Sequence, residues 1–310
     1  MTRMRIGVDL GGTKIEIVAL GDRDEELVRR RVPSPAHDYA AIVETIAALV
    51  ESVERDCGLR ATVGVGTPGA PSRRTGLMKN ANSTVLIGRP LESDLGRRLQ
   101  RPVRLANDAN CFALSEAADG AGRDAACVFG VILGTGVGGG VVVDGRIVLG
   151  ANAIAGEWGH NPLPWPQPGE LPGPACYCGK HGCIETFLSG PGLARDHHAA
   201  GGTQAAGPAI VAAAQAGDPR AAATLARYYD RLARSLATVI NVLDPDTVVL
   251  GGGVSNVLAL YEEIPRRLAA YVFSDDVATS VRRAHHGDAS GVRGAARLWD
   301  SCGSGAWTAT

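Results

Sequence analysis

A glycine turn between two valine-rich segments occurs twice in this chain and restricts the possible folds more than any other feature. Residues 5–20 and residues 129–148 each have the pattern of a strand, a tight glycine turn and a second strand. Four residues recur at the same spacing 123 positions later: Gly7, Val8, Leu10 and Gly11 correspond to Gly130, Val131, Leu133 and Gly134. The repeat predicts two α/β lobes of related design, each with one such hairpin.

Several segments outside the hairpins are predicted to be helical. Apolar residues follow a helix period through residues 38–55, and the alanine-rich segment 207–243 continues until Asp244-Pro245 stops it. A further helix is expected to begin at Ser255 or Asn256, and Pro265 is expected to kink or split it. By contrast, six of the seventeen prolines lie in residues 162–174, which predicts an extended loop.

Three glycine clusters each follow a predicted strand and are candidate phosphate-binding turns. They are Gly11-Gly12-Thr13-Lys14, Gly134-Thr135-Gly136 and Gly251-Gly252-Gly253. Glycine lets backbone N–H groups approach an anion without a Cβ atom in the way. Any one of these turns could be an ordinary tight hairpin, but three of them, two in matched hairpins, favour a nucleotide site.

The kind of nucleotide site follows from what comes after each turn. Gly134, Gly136 and Gly139 have the spacing of the dinucleotide fingerprint, but that motif requires a helix next, and "VVVDGRIV" is a strand. The first cluster lacks the P-loop spacing. A phosphate held between two hairpin turns from two lobes remains, which is the arrangement of the two-lobed actin-like (ribonuclease H-like) ATPase fold. The third cluster, at a helix N-terminus, would then meet the adenosine.

The segment "LANDANCFA" places Asp108 where a strand runs into a helix. Aspartate is a common N-cap residue, which is the plain structural interpretation. The functional interpretation is a base that takes a proton from an attacking hydroxyl, kept ionised by the helix dipole. Phosphoryl transfer tolerates such a weak base because positioning and charge neutralisation matter more. Asp9, beside the first turn, is the candidate ligand of Mg²⁺.

The segment "CYCGKHGCIE" holds three cysteines within eight residues, Cys176, Cys178 and Cys183. Three thiolates indicate structural zinc, which takes a fourth ligand. His181 and His160 are both candidates; His160 is favoured because His181 would need a strained chelate. A closed site would pin a loop carrying Glu157, His160 and Glu185, three polar groups able to hold a polyhydroxyl substrate, although both glutamates could also be solvated surface charges.

Composition excludes several classes of protein. A formal net charge of −1 gives no reason to expect nucleic acid or an anionic membrane as a partner. No stretch is long and apolar enough to span a bilayer, and the N-terminus has no secretory signal pattern. Seven cysteines with only three clustered do not form a secreted disulfide framework. We therefore expect a cytoplasmic protein.

The motifs together resemble those of the ROK (repressor, open reading frame, kinase) family of sugar kinases. The resemblance extends from about residue 5 to 300 and rests on these segments: "VDLGGTK", "NDANCFALSEA", "GTGVGGG", "GEWGHNPLP", "CYCGKHGCIE" and "LDPDTVVLGGG". It implies ATP-dependent phosphorylation of a hexose 6-hydroxyl, and a homodimer. It also implies a smaller lobe at 1–120, joined by a C-terminal helix at about 290–303, and a larger lobe at 121–289 with the zinc loop and the adenosine site.

The resemblance also implies roles for single residues. Asp108 would be the catalytic base, and the sugar would be held by Asn82, Asn107, Glu157, His160 and Glu185. Zinc would be bound by His160, Cys176, Cys178 and Cys183, with the second ring nitrogen of His160 facing the sugar. The nucleotide-binding residues would be Asp9, Gly11, Gly12, Thr13, Gly134, Thr135, Gly136, Gly252 and Gly253.

The substrate is the least constrained inference, since one or two pocket residues distinguish similar hexoses. The segments "KNANSTVLIGRPL" and "CYCGKHGCIETFLSG" resemble the fructokinases of the manno(fructo)kinase type. We therefore expect fructose first, with mannose accepted; N-acetylglucosamine kinase and glucokinase are the alternatives. A sugar-responsive repressor would need a helix-turn-helix before the first strand, which here begins by residue 5. A polymerising actin-like ATPase would have no use for the zinc-bound loop.

Overall fold

The computed structural model describes residues 4–300 of the 310-residue chain. It divides into two compact units. The first unit contains the described residues up to Asp119, the segment Gly140–Ala155 and the described residues from Asp288. The second contains Gly120–Gly139 and Gly156–Gly287. Residues 301–310, with Cys302 and the end of the helix expected at about 290–303, lie outside the described residues.

The described residues contain strands and helices in an α/β order. The strands are β1 (Arg5–Leu10), β2 (Lys14–Leu20), β3 (Glu26–Pro33), β4 (Thr62–Thr67), β5 (Ala70–Pro71), β6 (Met78–Lys79), β7 (Val103–Asn107), β8 (Cys127–Leu133), β9 (Val137–Val143), β10 (Arg146–Ile147), β11 (Thr247–Gly251) and β12 (Ser280–Arg283). The α-helices are α1 (Tyr39–Cys57), α2 (Leu91–Leu99), α3 (Asp108–Ala118), α4 (Ile184–Leu188), α5 (Gly190–Ala199), α6 (Gly207–Gln215), α7 (Pro219–Leu243), α8 (Leu260–Leu268) and α9 (Ser290–Ala296). None of these helices is both long and apolar enough to cross a membrane.

The first unit is built on a five-stranded sheet in the order β3-β2-β1-β4-β7. Strands β1 and β2 form the predicted antiparallel hairpin, and β1 pairs in parallel with β4. Helix α1 covers this sheet with the apolar face that its sequence period predicts. Its N-terminus is capped by Asp38, whose carboxylate accepts a hydrogen bond from the Ala41 N–H at 3.1 Å. Helix α9 packs against α3 and β1.

The second sheet has the order β10-β9-β8-β11-β12, with β8 and β11 parallel. Its β8 and β9 are the second predicted hairpin, so the repeat in the sequence corresponds to the same local structure. Helix α7 is the longest helix of the described chain, and Asp218 caps its N-terminus through hydrogen bonds from two backbone N–H groups. It ends where expected, because Asp244 takes the left-handed conformation that terminates a helix.

The structure differs from the helix predictions in detail. The helix expected at Ser255 or Asn256 begins only at Leu260; the residues after the third glycine cluster instead form the short 3-10 turn Gly253–Asn256. Of the two effects expected of Pro265, a kink or a split, the split is absent, because α8 runs through this residue. The segment 207–243 is helical but interrupted between α6 and α7, where Gly217 has a φ of 92°.

Candidate functional site

The first candidate nucleotide-binding turn closes the hairpin of β1 and β2. The Gly11 N–H donates to the Lys14 carbonyl at 3.0 Å, so Gly12 and Thr13 lie at its tip. Asp9 lies just before the turn, opposite Glu16 on β2. Glu16 is buried and receives hydrogen bonds from Arg29 and Arg31 of β3, which neutralise its charge. Strand β3 thus supplies cations beside the turn.

The pKa of Asp9 is raised well above that of an ordinary aspartate. Burial raises its pKa to about 6, and the nearby carboxylates of Asp108 and Glu16 act in the same direction. The cations of Lys14 and Arg31 oppose the rise only in part. The fold therefore brings Asp9 and Asp108, two residues separated by most of the first unit's sequence, into electrostatic contact. A carboxylate pair of this kind attracts a divalent cation.

Asp108 is exposed at the start of α3, as the sequence predicts. The N-cap is its neighbour Asn107, whose Oδ1 accepts a hydrogen bond from the Ala109 N–H at 2.9 Å. That N–H also lies 2.8 Å from Oδ1 of Asp108. The amide of Asn107 donates to the Gly69 carbonyl at 3.4 Å, which orients its side chain. Asn82 is exposed in a bend of the same unit.

The second candidate turn, between β8 and β9, is closed by a hydrogen bond from the Gly134 N–H to the Gly136 carbonyl at 3.0 Å. The third glycine cluster lies beside it. Gly252 has a φ of 81°, and a Cβ atom there would be 2.5 Å from the Leu133 carbonyl oxygen, so only glycine permits this approach. The structure thus brings Gly134 and Gly252, two predicted nucleotide ligands, to the same edge of the second sheet.

His160, Cys176, Cys178 and Cys183 come together in the second unit. Their candidate ligand atoms all lie within 4.8 Å of one another. His160 Nδ1 is 3.5 Å from Cys176 Sγ, and the Sγ atoms of Cys178 and Cys183 are 3.6 Å apart. Tetrahedral zinc, with bonds of about 2.3 Å to sulfur and about 2.0 Å to nitrogen, places its ligand atoms about 3.5–3.8 Å apart. The group fits such an ion, and His181 is exposed outside it.

The thiols of this group differ in acidity without a metal. Burial raises the pKa of Cys183 to about 12, whereas the backbone N–H of Lys180 lowers the pKa of Cys178. A metal ion binds the deprotonated sulfur, so its binding would displace the proton from Cys183.

Backbone pairing explains how distant ligands meet. Isolated bridges pair Pro162 with Cys183 and Ala175 with His181, which folds the proline-rich loop back on itself. The 3-10 turn Trp158–His160 carries the histidine. Trp158 is buried, donates a hydrogen bond to the Gly138 carbonyl at 3.1 Å and anchors this turn to the sheet.

A buried ion-pair cluster holds the start of the proline-rich loop. Glu170 in the loop accepts hydrogen bonds from Arg231 and Arg234 of α7, and all three side chains are buried. Arg234 also donates to the carbonyls of Pro164 and Trp165, at 2.9 and 2.7 Å. Helix α7 therefore fixes the loop through charge-assisted hydrogen bonds rather than through apolar packing alone.

Tyr177 is a residue of this region that the sequence reasoning missed. Its hydroxyl is 2.9 Å from Nε2 of His160, the ring nitrogen that faces away from the cysteines. Partial burial, together with the charges of Glu185 and Glu157, raises the pKa of Tyr177, although most of this side chain is exposed. These electrostatic contacts bring both predicted sugar-binding glutamates close to His160. The signal in the sequence was the position of Tyr177 between two candidate metal ligands.

Comparison with known proteins places this architecture in a family. Residues 5–301 match the ROK family. The chain belongs to the ROK family. It is 42% identical to the N-acetyl-D-glucosamine kinase of Yersinia pseudotuberculosis serotype O:3 (strain YPIII) over 304 residues, 95% of this chain and 98% of that protein.

Two solved ROK structures are similar over nearly their whole length. The ROK hexokinase of Thermus thermophilus has a TM-score of 0.84 and 35% identity, with 96% of this chain and 97% of that chain covered. The ROK glucokinase of Streptomyces griseus, in complex with glucose and AMPPNP, has a TM-score of 0.75 and 28% identity, with 95% and 98% covered. The actin-like α/β fold expected from the sequence is confirmed.

The expected substrate is wrong. The sequence motifs favoured a fructokinase that also accepts mannose, whereas the ROK relative at 42% identity is an N-acetyl-D-glucosamine kinase. N-acetylglucosamine kinase, an alternative expected from the sequence, therefore has better support than fructokinase. The physical reason is that the motifs around the cysteines and Asn82 are expected to hold groups that hexoses share, so these motifs do not distinguish one hexose from another.

Proposed function

We propose that this chain is an ATP-dependent kinase that phosphorylates the 6-hydroxyl of N-acetyl-D-glucosamine. The observation that carries the proposal is the 42% identity to an N-acetyl-D-glucosamine kinase over 95% of the chain. Supporting it, the first unit holds Asp9 and Asp108 in electrostatic contact beside a glycine turn. Two carboxylates next to a phosphate-binding turn are what transfer to a hydroxyl requires.

Asp108 is proposed to accept the proton of the sugar hydroxyl as that oxygen attacks the γ-phosphorus. Its place at the first residue of α3 favours the ionised carboxylate, because the helix N-terminus carries partial positive charge. Asp9 is proposed to hold Mg²⁺, directly or through water. The ion, when bound, neutralises charge on the transferring phosphoryl group.

The remaining binding roles follow the same proposal. The sugar is held by Asn82, Asn107, Glu157, His160 and Glu185. The nucleotide is held by the glycine turns, with Gly11, Gly12, Thr13, Gly134, Thr135 and Gly136 toward the phosphates and Gly252 and Gly253 toward the adenosine. We propose that residues 1–120 with the C-terminal segment, and residues 121–289, are the smaller and larger lobes of the kinase, except that Gly140–Ala155 belong with the first unit. The homodimer stays a prediction, testable by light scattering.

A structural zinc ion is proposed at His160, Cys176, Cys178 and Cys183. A closed site of this kind fixes a loop and leaves no open position for a catalytic water. The residues thereby fixed include Glu185, two positions after Cys183, and Glu157, three positions before His160. The zinc-bound loop would hold these carboxylates in a geometry suited to sugar hydroxyls.

A coupled assay of ADP release with Mg²⁺ and ATP tests the proposal. N-acetyl-D-glucosamine should give a higher kcat/KM than glucose, mannose or fructose. The Asp108→Asn variant should still bind the sugar but lose at least about 10²-fold in kcat, the scale of a lost general base. No transfer to any of these sugars would refute the kinase proposal.

Glucose is the second candidate substrate. The structures of a ROK hexokinase and a ROK glucokinase resemble this chain at 35% and 28% identity. If glucose gave the highest kcat/KM in the same assay, the enzyme would be a glucokinase, and the N-acetyl group would not be recognised.

A further inference from the structure

Glu185, proposed above as a sugar ligand, also contacts the second glycine turn. Its Oε2 accepts a hydrogen bond from the Val137 N–H at 2.9 Å, directly after Gly136. A second hydrogen bond joins the same two regions, because the Gly190 N–H donates to the Gly134 carbonyl at 2.8 Å. Both ends of the turn are therefore tied to the one segment that follows Cys183.

The contact between Glu185 and the turn is close. A Cβ atom on Gly136 would lie 2.6 Å from Oε2 of Glu185, inside the distance that real Cβ contacts show. Glycine at position 136 therefore leaves room for the Glu185 carboxylate. This requirement is separate from any contact of the turn with a phosphate. The hydrogen bond from Val137 has a charged acceptor, which makes it stronger than one between neutral groups.

The segment that carries Glu185 is itself fixed to the metal-ligand loop. The Leu163 N–H donates to the Gly182 carbonyl, and the Ile184 N–H donates to the Asn161 carbonyl, both at 2.9 Å. On one segment the two bonds involve Gly182 and Ile184, the neighbours of Cys183. On the other they involve Asn161 and Leu163, which closely follow His160. Backbone hydrogen bonds and the Glu185 side chain thus join the metal-ligand loop to the glycine turn within the second unit.

We propose that Glu185 is a positioning residue for the nucleotide, because it fixes the Gly134–Gly136 turn to the metal-ligand loop. Metal bound at that loop should then tighten nucleotide binding even without sugar. The inference rests on the proposed function, in which this turn binds phosphate. A turn whose N–H groups are already ordered loses less conformational freedom when a phosphate binds. A residue that touched only the sugar would leave sugar-free nucleotide affinity unchanged.

The test measures binding of Mg²⁺-AMPPNP by calorimetry to the full-length, zinc-loaded protein without sugar. Glu185→Ala should weaken this binding about tenfold, the scale of a lost hydrogen bond to a charged group. Glu185→Asp keeps the charge but is one methylene too short to reach Val137, so it should behave like the alanine variant. Glu185→Gln retains an acceptor oxygen and should stay within about threefold of wild type, while its affinity for N-acetyl-D-glucosamine falls.

Asn82→Ala is the matched control, because Asn82 is another proposed sugar ligand and lies in the first unit. It should weaken sugar binding and leave sugar-free nucleotide affinity within about twofold. Hydrogen exchange of the peptide containing Val137 is the structural readout. Exchange should accelerate in Glu185→Ala, in Glu185→Asp and in wild type after zinc is removed by a chelator, and remain unchanged in Asn82→Ala.

The possible outcomes separate this inference from the kinase proposal. If wild type binds no Mg²⁺-AMPPNP, the proposed function fails. If wild type binds it and the alanine and aspartate variants bind it equally well, the positioning role is wrong while the kinase proposal stands. If both variants fail to fold, zinc removal from wild type decides: unchanged nucleotide affinity and unchanged exchange at Val137 would overturn the inference.

Discussion

Asp9 at the end of β1 and Asp108 at the start of α3 bring two carboxylates into electrostatic contact. Burial is the main cause that raises the pKa of Asp9 to about 6, and the charge of Asp108 contributes to the same rise. The ordinary pKa of an aspartate is near 3.8. In ligand-free protein at neutral pH, Asp9 is therefore ionised in a place that favours its neutral form.

Asp9→Asn should stabilise the ligand-free protein at pH 7 while abolishing activity. Because the folded-state pKa is raised, the native protein binds more protons than the unfolded chain between about pH 4 and 6, and the Asp9 contribution to stability falls as pH rises through that window. The variant should gain about 1–3 kcal/mol at pH 7 and nothing below about pH 4. Urea unfolding of both proteins at the two pH values measures this, with the exposed Asp275→Asn as control. Equal stability at pH 7 would contradict the raised pKa.

Cys178→Ser should remove zinc from the chain. Cys178 is the exposed member of the four-residue group, so its substitution disturbs packing least and tests ligation directly. Wild type should contain one zinc per chain by elemental analysis and the variant close to none. Its thermal midpoint should fall by more than about 4 °C, because metal binding contributes to folding. Cys57→Ser, outside the group, should keep its zinc; full zinc content in Cys178→Ser would rule out the proposed site.

Tyr177→Phe should weaken zinc binding about tenfold without changing the fold. The phenol hydroxyl is 2.9 Å from Nε2 of His160 and orients the ring whose Nδ1 faces Cys176. Partners that orient a metal ligand typically contribute tenfold or more to affinity. Competition with a chromophoric chelator measures the constant. Tyr39→Phe removes a hydroxyl that bonds to Asp94 in the first unit and should leave zinc affinity unchanged.

Arg234→Leu should destabilise the second unit by about 3–5 kcal/mol, the usual cost of breaking a buried ion pair. The substitution leaves the carbonyls of Pro164 and Trp165 without this donor and removes one of the two arginines on Glu170. Urea unfolding with tryptophan fluorescence measures the loss, and zinc should dissociate faster because the loop is freed. Arg266→Leu, an exposed arginine on α8, should change stability by less than about 0.5 kcal/mol.

Local patterns in the sequence predicted those parts of the fold that local energetics decide. The two hairpins, the buried face of α1 and the start of α3 all follow from residue periodicity and capping chemistry. Strand β3 was not predicted, since it lies at the edge of a sheet and its three consecutive arginines, Arg29–Arg31, interrupt the apolar alternation typical of a strand. The helix after the third glycine cluster was placed too early because Gly253 begins a 3-10 turn instead.

The amino-acid sequence by itself determined the fold family, the glycine turns and a candidate zinc site made of three cysteines and one of two histidines. Only the tertiary structure decided that His160 joins the cysteines, that Glu185 reaches the N–H of Val137, and that Arg234 holds the proline-rich loop. The reason is physical: periodicity and turn chemistry act over a few neighbouring residues. Contacts between residues far apart in the chain depend instead on backbone pairing and burial, which spacing in the sequence does not specify.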